Sequence, residues 1–435
     1  MIVACTAPVK KEVVLITLDP GHFHAALVQK TQYPSVSKDV YVYAPAGEDL
    51  ESHLDKVEGY NRRAENPTAW NEIVYRGDDY LEKMLAEKKG NVMVTAGNNA
   101  KKTEYIKRTL DAGINVLADK PMAIDADKFE LLKECFASAE KNGVLLYDIM
   151  TERFEISTIL QRELSRIPAI YGEQLKGSPE DPAITKESVH HFYKNVSGNA
   201  LIRPAWFYDV RQQGEGIADV MVHLVDLVQW ECFPGVPLDY EKDVDIHAAR
   251  HWCTPVSPAQ FKASTGLDEY PDYLQKDVRD GVLQVYANGE IDYALRGVHA
   301  RVVVTWAFEA PEGGGDTHYS TMRGSKAELV IRQGAEQGFK PELYIEPSAP
   351  LEGLEAAFAP LAEKYPGVAL EPCGEGWHVC IPDSYRVGHE AHFGQVTEHF
   401  LQYLEAGALP EWEVPNMLAK YYTTTQAWKL ARAGE

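Results

Sequence analysis

Between residues 13 and 150, short runs of apolar, β-branched residues alternate with amphipathic stretches, and this alternation constrains the fold more than any other feature. Residues 13–18, 40–44, 73–75, 92–96, 114–118 and 144–149 read as strands. None shows a period of two, as expected of strands covered on both faces. Residues 100–112 and 126–141 read as helices, closed by Gly113 and Gly143 where a left-handed C-terminal residue belongs. Such β-α alternation specifies an α/β fold, a Rossmann-like doubly wound parallel sheet over residues 13–150.

Beyond residue 150 the pattern changes. A polar stretch (178–199) leads to an apolar helix at 217–230, and then to runs with period-two character at 244–250, 282–287, 300–308 and 327–331. Asn288-Gly289 is the dipeptide of a tight hairpin. Residues 151–435 therefore read as an α+β domain with a mainly antiparallel sheet. Loop-rich insertions fall near 254–280 and 347–383, and 388–406 forms the closing helix.

The formal charge of −22 argues against nucleic acid as a partner, because neutralising phosphates requires a basic surface. No stretch approaches the ~20 apolar residues of a membrane helix. Ile2-Val3-Ala4-Cys5 matches the tail of a bacterial lipoprotein signal. Residues 1–12 would then be a tether with a lipid anchor at Cys5, on a periplasmic or lipid-anchored protein; a chance match would leave a cytoplasmic one. The six cysteines are too few and scattered for a disulfide framework. Cys373 and Cys380, followed by His389 and His392, lack the tight spacing of a zinc knuckle, and no metal is expected.

Three segments carry candidate chemistry. The first strand runs into Asp19-Pro20-Gly21-His22-Phe23-His24, where a dinucleotide fold places glycines against the pyrophosphate. Only Gly21 stands at a glycine position of that turn, so a plain structural turn stays open. The second strand ends at Ala44-Pro45 with neither a ribose-binding carboxylate nor an Arg for a 2′-phosphate; Glu48 or Asp49 would have to substitute. NAD is preferred, with NADP open, because no basic residue adjoins the strand end. The fifth strand runs into Asp119-Lys120-Pro121 at the edge where open α/β sheets bind ligands. Finally, Asp219, His223 and Asp226 are the polar residues of an otherwise apolar segment from Ile217 to Val228. On one helix they would share a face. Buried unpaired they would cost several kcal/mol, so they form either a core network or the wall of a wet site. A histidine beside carboxylates is the usual proton acceptor for an alcohol being oxidised.

Together these motifs resemble the glucose-fructose oxidoreductase / inositol dehydrogenase (Gfo/Idh/MocA) family. Its Glu-Lys-Pro element is similar to Asp119-Lys120-Pro121, and its Gly-rich Asp-x-x-x-His-x-x-Asp segment to Gly214 through Asp226. Val302-Thr305-Trp306 and Gly324 through Leu329 extend the likeness. The resemblance implies an NAD(P)-dependent oxidoreductase acting on a CH–OH group of a sugar or glycoside, with C3 as one candidate carbon. In that role Lys120 would polarise the hydroxyl, His223 take its proton, and Asp219 orient the substrate or tune His223. Gly21, His22, Phe23, Gly97, Asn98, Asp119 and Lys120 would meet the cofactor. Arg211, Asp226, His191 and Trp206 are candidate substrate contacts. Further candidates are His190, His299 and His318, with Phe207, Tyr208 and Trp230 available to stack on sugar rings, and His389 and His392 as contacts or as helix-capping or core residues. The family also implies a homo-oligomer. Two rivals stay open: a glycoside-cleaving enzyme working by transient oxidation and elimination, and a non-catalytic sugar- or nucleotide-binding protein.

Overall fold

The computed structural model describes residues 12–196 and 199–433. The Cys5 motif lies outside them. The chain divides into two compact units. One comprises Met1–Asp119, Leu131–Ile149 and Phe393–Leu409; the other comprises Lys120–Glu130, Met150–His392 and Pro410–Glu435. A division by compactness thus departs from a cut at residue 150 in two places, at the segment after Asp119 and in the closing helix.

The first unit holds six parallel strands: β1 (Leu15–Leu18), β2 (Asp39–Ala44), β3 (Asn71–Arg76), β4 (Val92–Thr95), β5 (Asn115–Ala118) and β6 (Leu146–Asp148). Their order is β3-β2-β1-β4-β5-β6. The chain reverses direction across the sheet between β1 and β4, which is where such sheets bind ligands. Strands β1 and β4 are buried throughout, as their unbroken apolar character requires. Helix Asn99–Asp111 starts on the Asn98 side chain, which accepts the Ala100 N–H, and the chain leaves it through Gly113 at φ 79°.

The second unit is built on a mixed, mostly antiparallel sheet. Its strands run in the order Val244–Val256, Val282–Leu295, Val298–Glu309, Ile184–Tyr193, Thr317–Arg323, Ala327–Arg332, Glu342–Pro347, Gly376–Cys380 and Ala369–Cys373. The Val298–Glu309 and Ile184–Tyr193 strands pair in parallel. Buried side chains of helices Ile156–Ser165 and Met221–Cys232 join those of the sheet in one apolar core. Within it, Lys186 ion-pairs with Glu231 at 2.5 Å with both side chains fully buried, and donates to Ser320 at 2.8 Å.

Four expectations need correction. Asn288-Gly289 is not a turn: it lies inside the Val282–Leu295 strand, and the chain reverses at Arg296-Gly297, both at positive φ. Asn288 is instead a cross-strand clamp. Its amide donates to the Trp252 carbonyl and Thr254 hydroxyl beside a register shift, and accepts the Trp306 N–H. Gly289 is needed because a Cβ there would come within 2.3 Å of Ile217. Second, the helix expected from residue 217 begins at Met221. Gly214 has φ 95°, and a Cβ on Gly216 would sit 2.0 Å from the Ala287 carbonyl oxygen, so this segment lies on the strand as a turn before it winds. Third, the two insertions are ordered. The first contains helix Pro258–Thr265, and the second a helix (Leu354–Lys364) and two strands that widen the sheet. Fourth, helix His389–Ala406 is not the last, since Glu413–Ala431 follows it.

Candidate functional site

In the first unit, the turn after β1 meets the loop after β4. Asp19 has φ 46°, the left-handed conformation a glycine would adopt freely and an aspartate tolerates better than most residues. Its carboxylate accepts the Tyr105 hydroxyl at 2.7 Å and that of Tyr80 at 3.3 Å, with Lys101 at 3.5 Å. Its charge is thereby compensated within the unit. The His22 N–H donates to the Ala96 carbonyl. A Cβ on Gly97 would fall 2.5 Å from the Asp19 carbonyl oxygen and 2.9 Å from the Gly21 nitrogen, so glycine lets the two loops touch. This backbone approach, at the β1/β4 reversal, fits a dinucleotide pyrophosphate. The helix after the turn, His24–Leu27, is a single turn with no side-chain cap at Phe23. Phe23 packs against His22 and His24. Asp119, at the end of β5, is buried with its carboxylate 3.0 Å from His24 Nδ1. His24 thus fills the third glycine position as a structural partner of Asp119.

In the second unit, Lys120 Nζ donates to Asp219 Oδ1 at 2.8 Å, and Gln213 donates to Oδ2 at 2.9 Å. Asp219 lies in the turn ahead of the helix, so the three-residue polar stripe is reduced to His223 and Asp226. His223 is 8% exposed, and its Nδ1 is buried with no hydrogen-bond partner among the described residues. Burial, and next the Lys120 ammonium, push its pKa down to about 3, with Glu152 opposing. Its imidazole is therefore neutral at physiological pH. The Glu152 and Asp226 carboxylates act on it in the opposite sense to burial and Lys120.

Glu152 was missed by sequence reasoning. It sits in a short 3₁₀ turn (Thr151–Phe154) directly after β6, and His389 Nδ1 lies 3.3 Å from its Oε1. Burial opposes its ionisation. The hydrogen bond and charge of His389 outweigh that and hold it well below the usual carboxylate range. His318 and His392 also face this carboxylate, and burial lowers each to about 4. His318 Nε2 and His392 Nδ1, like His223 Nδ1, are buried without a partner among the described residues. The signal available in the sequence was position: an acidic residue four positions after the end of the last parallel strand.

The other candidate substrate residues have partners or packing contacts within the second unit. Asp226 is 1% exposed and saturated: Arg153 grips it with two bonds of 2.6 Å, Lys420 adds a third at 2.9 Å, and Arg153 also pairs with Glu413. Its carboxylate is engaged in the buried core of the unit. His191 is buried, with its N–H and Nδ1 on Asp316; His190 joins Asp316 to Ser188. Arg211 is more than half exposed and folds onto Asp209 and the Tyr273 carbonyl. Trp206 packs against the apolar core, while Phe207 and Tyr208 are buried in it. The Arg162 guanidinium lies over the Trp230 ring. His299 stacks on His247. Cys380 lies 3.6 Å from His378, in a group with Glu371, Cys373 pairs with Gly376 at the other end of the same hairpin, and His389 and His392 face Glu152, so the four residues weighed for zinc are not brought together.

Comparison with known proteins agrees with this architecture. Residues 42–148 match the family model "Oxidoreductase family, NAD-binding Rossmann fold", and residues 160–432 match "Putative oxidoreductase C terminal domain". A crystal structure described as "a putative oxidoreductase from Parabacteroides merdae ATCC 43184" is 64% identical, with TM-score 0.96 over 98% of each chain. At the level of fold alone the chain is similar to GenD2 from gentamicin A biosynthesis in complex with NAD (16% identity, TM-score 0.59, 100% and 98% coverage). The same holds for a structure described as "a putative myo-inositol dehydrogenase from Sinorhizobium meliloti 1021" (13%, 0.57, 97% and 98%). No curated protein matches the chain. The chain belongs to the Gfo/Idh/MocA oxidoreductase family, with that family's NAD-binding Rossmann unit followed by an oxidoreductase C-terminal domain.

Proposed function

We propose that this oxidoreductase moves a hydride between a secondary hydroxyl of a sugar or glycoside and the nicotinamide of NAD, with NADP as the alternative dinucleotide. The observation that carries this reading is the placement, within one unit, of a carboxylate-held ammonium (Lys120 on Asp219) and a neutral buried imidazole (His223). The dinucleotide, when bound near Gly21, His22, Gly97 and Asn98, supplies the hydride acceptor. The protein supplies the rest. Lys120, fixed by Asp219, donates to the substrate oxygen and stabilises the negative charge that develops there. His223 receives the hydroxyl proton as the C–H bond breaks. Neutral imidazoles around a single ionised carboxylate suit a polyhydroxylated, uncharged substrate: each ring can donate to or accept from a hydroxyl, and Glu152 would repel an anion. A fold relative described as "a putative myo-inositol dehydrogenase" is in keeping with such a substrate.

The test is to incubate purified protein with a panel of polyols, hexoses and glycosides plus NAD⁺ or NADP⁺, following nicotinamide reduction and product mass together. Reduced cofactor with a product lighter by two hydrogens is expected. Aglycone release without net reduction would move the assignment to the oxidation-elimination reading.

A further inference from the structure

The strands Gly376–Cys380 and Ala369–Cys373 end the large sheet on one side, and together they form a hairpin. Successive side chains of a strand point to opposite faces, so His378 and Cys380, two residues apart, share one face. Glu371 stands directly across from His378 in the pairing register and joins them on it. The hairpin thus gathers a thiol, an imidazole and a carboxylate, with one donor atom from each lying within 4.8 Å of the others. Cys380 Sγ is 3.6 Å from Nδ1 of His378. Glu371 is exposed and Cys380 half-buried, so the group is open to small solutes.

The second nitrogen of His378 decides how the ring is used. Its Nε2 lies 2.9 Å from Oε2 of Glu342 on the neighbouring strand. Arg386 donates to that same oxygen at 2.9 Å and to the Pro341 carbonyl at 2.7 Å, which fixes the carboxylate in place. A carboxylate accepts, so in the neutral ring Nε2 carries the hydrogen and Nδ1 turns its lone pair toward the thiol. Metal-binding histidines are built this way: one nitrogen donates to a carboxylate, which orients the ring and makes the other nitrogen a better ligand.

We propose that Cys380, His378 and Glu371 bind a zinc ion, with Glu342 and Arg386 supporting the histidine from behind and water completing the coordination. Zinc takes sulfur at about 2.3 Å and imidazole nitrogen at about 2.0–2.1 Å, and a tetrahedral angle then sets the two roughly 3.5 Å apart. The separation found here is 3.6 Å. A sulfur ligand also selects against magnesium and calcium. As the ion binds, the S–H bond breaks, an S–Zn bond forms and the proton leaves to buffer, with no change of oxidation state. Thiolate and Glu371 then balance the two positive charges of the ion, while Glu342 is balanced by Arg386. Because Glu371 lies on the outer strand and the other two ligands on the inner one, the ion staples the hairpin that closes the sheet. The site is independent of the redox reading above.

The experiment strips the full chain with a chelator and titrates it with Zn²⁺ by calorimetry, and with Co²⁺ as a spectroscopic stand-in. Wild type is compared with Cys380→Ser, Glu371→Gln, Glu342→Gln and Cys373→Ser. The expected result is a thiolate-to-cobalt charge-transfer band that Cys380→Ser abolishes and Cys373→Ser leaves unchanged. Zinc affinity should fall about 10–100-fold in Glu342→Gln, which removes only the support behind His378, and zinc should raise the Tm of wild type but not of Cys380→Ser. Glu371 is exposed, so its replacement spares the fold, and an affinity lowered roughly 10-fold or more in Glu371→Gln carries the test even if Cys380→Ser misfolds. A wild type that shows no charge-transfer band, or binds zinc only at millimolar concentration, would overturn the site. So would zinc bound equally well by wild type, Cys380→Ser and Glu371→Gln, which would move the ion elsewhere, with His22, His24 and Asp119 as the other grouped donors.

Discussion

The turn after β1 and the polar site around His223 are both rich in ionisable groups, yet they are finished differently. In the turn, polar atoms are matched internally: Asp19 by Tyr80, Tyr105 and Lys101, and Asp119 by His24. Around His223, three imidazoles keep a buried nitrogen with no partner among the described residues. Burying a polar atom unpaired costs about 1–3 kcal/mol, so a chain that does so three times in one place is carrying a cost that binding can offset. On the function proposed above, the matched region would present backbone to the cofactor and the unmatched region would meet the reactant.

The largest effect that would sharpen this contrast is catalytic. Lys120→Met should lower turnover by about 10²–10⁴-fold while dinucleotide affinity, followed by fluorescence titration, barely changes. An equal loss of both would erase the distinction between the two regions.

Next comes pH. His223, His318 and His392 have folded-state pKa values of about 3, 4 and 4 against an ordinary 6.5, and in the first unit His53 is lowered to about 3. A lowered folded-state pKa means the unfolded chain binds protons first. Stability is therefore fully present above about pH 6.5 and falls as pH drops toward 4, by up to ~1.4 kcal/mol per pH unit for each imidazole. Glu152 and Asp226, also held low, add loss in the same direction below the ordinary carboxylate range. With three such imidazoles against one, the second unit should fail first. Tryptophan fluorescence reports it, since Trp70 is the only one of eight tryptophans in the first unit. Simultaneous loss of both units on mild acidification would contradict this.

Arg153→Met should cost about 3–5 kcal/mol, because it strands the Asp226 and Glu413 charges in the core; thermal melting measures it. Smaller still, Gly97→Ala forces the Asp19 and Gly97 loops apart. It should cost about 1–3 kcal/mol and weaken dinucleotide binding, with sugar binding measured by calorimetry left intact.

How much of this was legible follows the same division. The Rossmann strands and the helix ends at Gly113 and Gly143 could be read because short buried strands and left-handed caps leave local signatures. The second unit misled wherever local signals served distant contacts. Asn288-Gly289 has hairpin chemistry but is used to clamp a strand and admit Ile217. Ile217-Ala218 looks helical but is held on the sheet by Gly216. Lys120, Asp219 and His223 were recoverable as polar residues at a strand edge and in an apolar run. Glu152 was not, because one carboxylate after a strand has no periodicity, and what distinguishes it comes from residues as distant as His318 and His389. The pairing of Asp226 was equally out of reach, because its partners Arg153 and Lys420 converge only in the folded core.

The most direct test is a single-turnover measurement with a sugar deuterated at the reacting carbon, comparing wild type with Lys120→Met and His223→Asn at saturating dinucleotide. We predict a primary isotope effect and a hydride-transfer step slowed by about 100-fold or more in each variant. Variants that transfer the label at the wild-type rate would show that neither side chain touches the reaction.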